Sequence, residues 1–391
     1  MQNTSDLCTP RFRELADSLG GIPCEHAHRI VYVNNPFHLA DPMMPVVELL
    51  MVAGAVLALA HAIRTLRRTG SAVNLGVWIA AVVYVAVLEP PLYFPAAFGI
   101  DDYVPAIFVH NVFTIGFVEE RMPLYILSLY PALVYLTWTL VERLGIRARH
   151  PGVRGALLTA VCLGFTHQCI YEIFDHLGPQ RLWWAWDYRE SMTADRLGSV
   201  PWSSMVNFAL VMPTAFAFLA LLILERRPRP SVRSVLLGAV AVGALTPIVS
   251  MPGQLPVTYL DLVDHPHRLL VHRVLIAMVV VAGALTLREV LSSWRTPRRQ
   301  GTGFLGWYPL AWAGVYLATF AVLWALALPQ TLGAAHGVAS DGRPVGSLGY
   351  VVGCFVLSLV ILAPLIRDAL ARHGSYVVPD PGPEPVLERQ P

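Results

Sequence analysis

Nine times along this chain an apolar run of roughly twenty residues begins and ends, the length that carries a helix across a bilayer. The runs are 45–63, 72–94, 122–141, 155–176, 203–224, 232–251, 269–287, 307–328 and 346–366. In hydrocarbon, backbone N–H and C=O groups must find partners inside the chain, which restricts such runs to helices. The expected fold is therefore all-α: a polytopic integral membrane bundle of about nine transmembrane helices. Charge agrees, since only 14% of the 391 residues are Asp, Glu, Lys or Arg, against about a quarter in soluble domains. The net charge of +2 is too small to draw a nucleic-acid partner.

There is no lysine, so arginine alone must report orientation. Arg64, Arg67 and Arg68 follow the first run, and Arg143, Arg147, Arg149 and Arg154 separate the third from the fourth. Arg226, Arg227, Arg229 and Arg233 separate the fifth from the sixth; Arg288, Arg295, Arg298 and Arg299 follow the seventh; Arg367 and Arg372 follow the ninth. These loops alternate with acidic or mixed ones, and arginine-rich loops stay cytoplasmic. The expectation is a plasma-membrane protein with its N-terminus outside and C-terminus in the cytoplasm. Residues 1–41 would be an extracytoplasmic segment without the apolar core of a signal peptide, 42–373 the bundle, and 374–391 a disordered tail. Cys8 and Cys24 would then meet an oxidising space, where a disulfide is expected. Cys162, Cys169 and Cys354 lie in apolar runs and read as small core residues.

The fourth run breaks the apolar pattern. At 100° per residue, His167, Gln168, Tyr171, Glu172, Asp175 and His176 fall on one half of a helix, opposite Cys169, Ile170, Ile173 and Phe174. Ionisable groups in a membrane segment must face protein or water, and mark function by default. The plain alternative is a hydrogen-bond network joining helices. A carboxyl in an apolar site can serve as a general acid. Two side by side, Glu172 and Asp175, supply one acid and one base. Trp183, Trp184 and Trp186 follow, either as an interfacial belt or as an aromatic wall for a ligand. Ser203 or Ser204 would cap the fifth helix. Asn207, one turn in, needs a partner, for which the polar arc is the nearest source. His167, Tyr171 and Asn207 would orient substrate or water.

Metal chemistry is a second possibility. Glu172 and His176 are spaced i, i+4, and Asp264, His265 and His267 stand together between the sixth and seventh runs. Such donors could hold a transition metal in a metal-dependent oxidoreductase or hydrolase. A cofactor, if any, would be that metal. A third class is non-enzymatic, a transporter or the scaffold of a membrane complex.

Arg121-Met122-Pro123-Leu124-Tyr125 opening a helix, then Glu172 and Asp175 at a helix end, then Trp184-Ala185-Trp186, then Gly198-Ser199-Val200-Pro201 running on to Asn207, form an ordered set. It resembles the integral-membrane carotenoid hydratases of the bisanhydrobacterioruberin and gamma-carotene type, over about a quarter of the chain. The resemblance implies a polyprenoid or similar membrane-lipid substrate and acid-catalysed addition of water, with Glu172 and Asp175 as the catalytic carboxyls.

Overall fold

The computed structural model describes residues 10–17, 30–100, 108–110, 113–225, 231–260, 265–296 and 304–371. The short helix α1 (Pro10–Asp17) and strand β1 (Val31–Val33) precede the bundle. Then come α2 (Met44–Thr69), α3 (Val73–Tyr93), β2 (Phe108–His110), β3 (Ile115–Phe117), β4 (Met122–Pro123), α4 (Leu124–Leu144) and the single turn α5 (Ile146–Arg149). Helix α6 (Gly152–Asp175) leads into β5 (Trp184–Trp186), α7 (Ser191–Ala194), β6 (Arg196–Leu197) and β7 (Val200–Pro201). The fifth span is α8 (Trp202–Val206), a π-helical turn Asn207–Val211, and α9 (Met212–Ile223). Four long helices close the chain: α10 (Val232–Leu260), α11 (His265–Arg295), α12 (Phe304–Leu332) and α13 (Leu348–Leu370).

Among the described residues, nine helical spans are long and apolar enough to cross a membrane. The chain is a multi-pass membrane protein with an all-α bundle, and its strands are two or three residues long. Helices α4 and α6 are its centre. In each, 78% of the most apolar window is buried within the protein, against 28% for α11 at the periphery. A polar arc on α6 is thereby placed against protein.

Local chemistry sets the helix ends. Gly70 (φ 72°) closes α2, its N–H returning to the Leu66 carbonyl, after Arg67 and Arg68 in the last turn. Left-handed glycine and terminal arginine both suit a helix C-terminus. The break in the fifth span has a cause in Pro213. Proline cannot donate to the carbonyl four residues back, that of Ala209, and its ring crowds that carbonyl. The chain widens into a π turn just before it. The freed Ala209 carbonyl accepts a hydrogen bond from His167 Nδ1 of α6, at 3.0 Å. By contrast Pro247, Pro252 and Pro256 leave α10 continuous. The Ser250 hydroxyl donates to the Pro247 carbonyl at 2.7 Å, adding a side-chain bond inside this segment.

Candidate active site

The α6 arc resolves into two rows, each spaced i, i+4, i+8, which turn to different neighbours. Gln168, Glu172 and His176 face the start of α13. Gln168 Nε2 donates to the Tyr350 hydroxyl at 3.0 Å, and the Ser347 N–H donates to His176 Nδ1 at 3.3 Å. His176 Nε2 lies 3.3 Å from Glu172 Oε2, both side chains fully buried. Burial holds the His176 imidazole down, to about 4, with Asp175 pulling the other way. It is a neutral ring whose proton is left on Nε2, toward Glu172. Both Glu172 oxygens lack a hydrogen-bond partner among the described residues.

The second row is His167, Tyr171 and Asp175. His167 is occupied by the π turn and stacks on Tyr171, centroids 5.4 Å apart. Tyr171 and Asp175 look into a cavity of about 30 Å³, room for one or two waters. Glu89 of α3 lines the same cavity from the other side. The Tyr130 hydroxyl of α4 donates to Glu89 Oε1, and the Ser204 hydroxyl of α8 donates to Asp175 Oδ2 at 2.9 Å. Asp175 Oδ1 is buried without a partner. Two carboxyls from different spans thus share one small, water-sized space.

The cavity roof is a two-stranded antiparallel ribbon. Strand β2 pairs with β5 in the register Phe108↔Trp186, Val109↔Ala185, His110↔Trp184. Side chains alternate across a strand, so Phe108, His110, Trp184 and Trp186 all face the cavity. Val109 and Ala185 face the other way and pack against Phe12, Leu15 and Ala16 of α1. Burial pushes the His110 imidazole down to about 3, and its Nδ1 lies 2.7 Å from the Tyr125 hydroxyl. Trp184 lies so close over Gly178 that a Cβ there would enter its ring. The Arg121 guanidinium, held down to about 10 by burial, stacks 3.9 Å from the Phe12 ring centroid and donates to the Tyr93 carbonyl at 3.1 Å. Arg11 of α1 pairs with Asp187 and Glu190 just beyond β5.

Several sequence expectations are corrected or refined here. The tryptophans are an internal wall and not a membrane-surface belt: Trp183, Trp184 and Trp186 are 0%, 3% and 6% exposed. Only Trp184 and Trp186 reach the cavity. Trp183 sits behind, its Nε1 donating to Asp41 Oδ2 at 2.7 Å. Ser204 does not cap its helix, because its hydroxyl is committed to Asp175. Asn207 Oδ1 finds no donor on α6, and its neighbour Phe208 is the residue that lines the cavity. Glu172 is not among the lining residues, whereas Glu89 and His110, absent from the sequence-based site, are. Among the described residues no three His, Cys, Asp or Glu side chains gather as a metal site. Asp264 lies outside the described residues, as do the side chains of His265 and His267 at the head of α11. The adjoining Arg268 and His272 both pair with Asp195. Cys8 and Cys24 also lie outside the described residues. Cys162, Cys169 and Cys354 are free and buried.

An apolar groove of about 710 Å³ runs between α6, α9, α10 and α11, walled by Val161, Leu210, Val211, Phe218, Val249 and Val281 among others. The π turn stands between the two spaces, with Phe208 on the cavity and Leu210 and Val211 on the groove.

Residues 28–228 match a family described as a domain of unknown function, DUF7802. The chain belongs to this family. The match covers just over half of the 391 residues, from β1 to the end of α9. Every residue lining the acidic cavity lies within it, whereas α10 and α11, which form one side of the groove, lie beyond it. No curated protein and no solved structure matches the chain.

Proposed function

We propose that this member of the DUF7802 family is a membrane enzyme that adds water to a lipid-soluble, polyprenoid-like alkene. The observation that carries the reading is the shared cavity of Glu89 and Asp175, water-sized and ringed by aromatic faces. Asp175, as the acid, gives its proton to the alkene carbon, and the two π electrons form the new C–H bond. The carbocation left on the neighbouring carbon lies among Phe108, Phe174, Trp184 and Trp186, whose ring faces attract positive charge. A cavity water attacks that carbon and loses its proton to Glu89. Proton return to Asp175 through cavity water restores the pair. Neutral His110 orients and does not compete as a charge.

The apolar groove supports a long apolar substrate, since its walls suit an isoprenoid chain and only the π turn stands between it and the cavity. Arginine placement supports an orientation with this cavity in the outer half of the plasma membrane and the N-terminus outside. The test is expression in a host that makes linear and monocyclic polyprenes, with extracted lipids analysed by mass spectrometry. The wild type yields products heavier by one water, and Asp175→Asn yields none. No hydrated product from the wild type, or equal product from both, overturns the proposal.

One feature favours a second reading, a cation site in a transporter. The partnerless Asp175 Oδ1 beside aromatic faces is also what a small cation would find attractive. Cation-dependent thermal stabilisation lost in Asp175→Asn, without any turnover, would select it.

A further inference from the structure

At the end of the bundle where α2 begins, away from the arginine-rich loops, the surface carries an apolar patch outside any span. Ile30, Val33 and Phe37 are 77%, 62% and 90% exposed, and Val31 among them is half exposed. Single exposed apolar side chains are ordinary on any protein. Four within the eight residues 30–37 form a patch, and a patch marks a partner or a membrane.

Local structure turns them outward together. Strand β1 is the edge of a three-stranded sheet in the order β1-β3-β4. Side chains alternate across a strand, so Tyr32 packs toward the core while Val31 and Val33 face away from it. After the strand Asn35 closes a turn. Its Oδ1 accepts the Phe37 N–H and its carbonyl accepts the His38 N–H, both at 3.0 Å. That turn presents Phe37. Asn34 is used inward, its Nδ2 donating to the Phe113 carbonyl at 2.9 Å. From the neighbouring turn, half-exposed Val118 joins the patch, its N–H donating to the Ile30 carbonyl at 3.1 Å.

Charge and position say what covers this patch. Residues 30–40 contain no Asp, Glu, Lys or Arg. The loop between α6 and α8, at the same end, carries Asp187, Arg189, Glu190, Asp195 and Arg196. Phe37 also stands seven positions before Met44, the first residue of α2. The opening turns of that span expose Val46 and Leu49, as a lipid-facing side does. The patch thus borders the membrane-facing surface. A second copy of the chain is a poorer occupant, because an edge of three residues followed by Pro36 offers little to another strand.

We propose that the β1 edge and the Phe37 turn form a lip that lies in the bilayer surface on its own side, with Val31, Val33 and Phe37 toward the acyl chains. The depth follows from the backbone. Ile30 and Asn34 bond toward β3, so the alternation leaves the N–H and C=O groups of Val31 and Val33 on the free edge. Hydrocarbon would leave those groups without partners, whereas the headgroup layer supplies water and phosphate. The side chains therefore reach about 5–10 Å into the boundary, as interfacial segments do. The lip is independent of the hydration chemistry proposed above, and none of its residues lines the acidic cavity.

Spin labels in lipid nanodiscs test this. Val33→Cys and Phe37→Cys are labelled separately, with Ser340→Cys, exposed in the loop between α12 and α13, as the reference. Cys8 and Cys24 are replaced by serine, and Cys162, Cys169 and Cys354 are buried. Each label's collisions with oxygen, which concentrates in lipid, are compared with those of a water-soluble nickel chelate. The oxygen-to-nickel ratio at Val33 and Phe37 is expected to exceed that at Ser340 several-fold. Adding Phe37→Asp to the Val33 label should return its ratio toward that of Ser340. All these positions are exposed, and a thermal melt confirms that the variants fold. Ratios at both sites equal to that at Ser340 overturn the proposal, as does a Val33 ratio that Phe37→Asp leaves unchanged. So does a Val33 label shielded from both reagents and broadened by a second label, which would mean that another copy covers the edge.

Discussion

The carboxyl of Glu89, on α3, and that of Asp175, on α6, open into one cavity although 86 positions separate them in the chain. Each is held by a hydroxyl from a further helix, Tyr130 on α4 and Ser204 on α8. A pair so held can divide the roles of acid and base. Asp175→Asn and Glu89→Gln keep shape and remove proton transfer, so each is expected to lower turnover by about 10²–10⁴-fold with little change in melting. Glu172→Gln, on the row that faces α13, leaves turnover in place. Polyprenoid turnover in membranes reads all three, and activity lost in Glu172→Gln alone would assign the acid to the other row.

How much of this was legible in the sequence follows from range. The nine spans were, because hydropathy is a local sum and the bilayer fixes its length. Asp175, Tyr171, Trp184 and Trp186 were legible because they interrupt or border one apolar run. Glu89 reads in the sequence as a charge closing a helix before Pro90-Pro91. Only the packing of α3 against α4, with Tyr130 reaching back, shows it to be buried. His110 sits in a three-residue strand and pairs with Trp184, 74 positions away, and no local pattern announces such a pairing. The angular arc on α6 was right as geometry. It could not show that two helices, α8 and α13, would divide it. The π turn did have a signal in Pro213, but its position beside His167 is tertiary.

The α6–α9 crossing depends on Gly164. A Cβ there would meet the Thr214 side chain and lie 2.6 Å from the Leu210 carbonyl oxygen, closer than packing allows. Small residues are what let membrane helices approach this way. Gly164→Ala should destabilise by about 1–3 kcal/mol, as overpacking does, and should disturb the adjoining π turn. Denaturant melts of purified protein measure this. An unchanged midpoint would mean that the two helices separate freely.

Asp41, just ahead of α2, gathers four donors onto one nearly buried carboxylate, the Met43 N–H among them at 3.0 Å. Arg181 contributes bonds of 2.9 and 2.6 Å and Trp183 one of 2.7 Å. It ties the start of α2 to the turn that carries the tryptophan wall. Arg181 remains partly solvated, so the loss in Asp41→Asn is set at about 2 kcal/mol, the range for hydrogen bonds to charged groups. Trp183 fluorescence should shift to the blue as its N–H loses the negative carboxylate that stabilises the excited indole. Wild-type stability together with an unshifted spectrum would remove Asp41 from this role.

The roof of the cavity should make the protein acid-sensitive. His110 in the fold resists its proton until about pH 3, whereas an unfolded histidine takes one near 6.5. As pH falls below about 6.5 the unfolded chain binds a proton that the folded chain refuses. Stability therefore falls with pH, by up to about 1.4 kcal/mol per unit for this one group. The loss continues until pH approaches the folded value, and stability is fullest above the unfolded one. His176, held down to about 4, adds a second contribution of the same sign. His110→Gln keeps a polar partner for Tyr125 and cannot titrate, so its stability should fall less steeply between pH 6.5 and 5. Denaturant melts of both proteins at several pH values measure the two slopes, and parallel slopes would show that His110 titrates in the fold as it does in the unfolded chain.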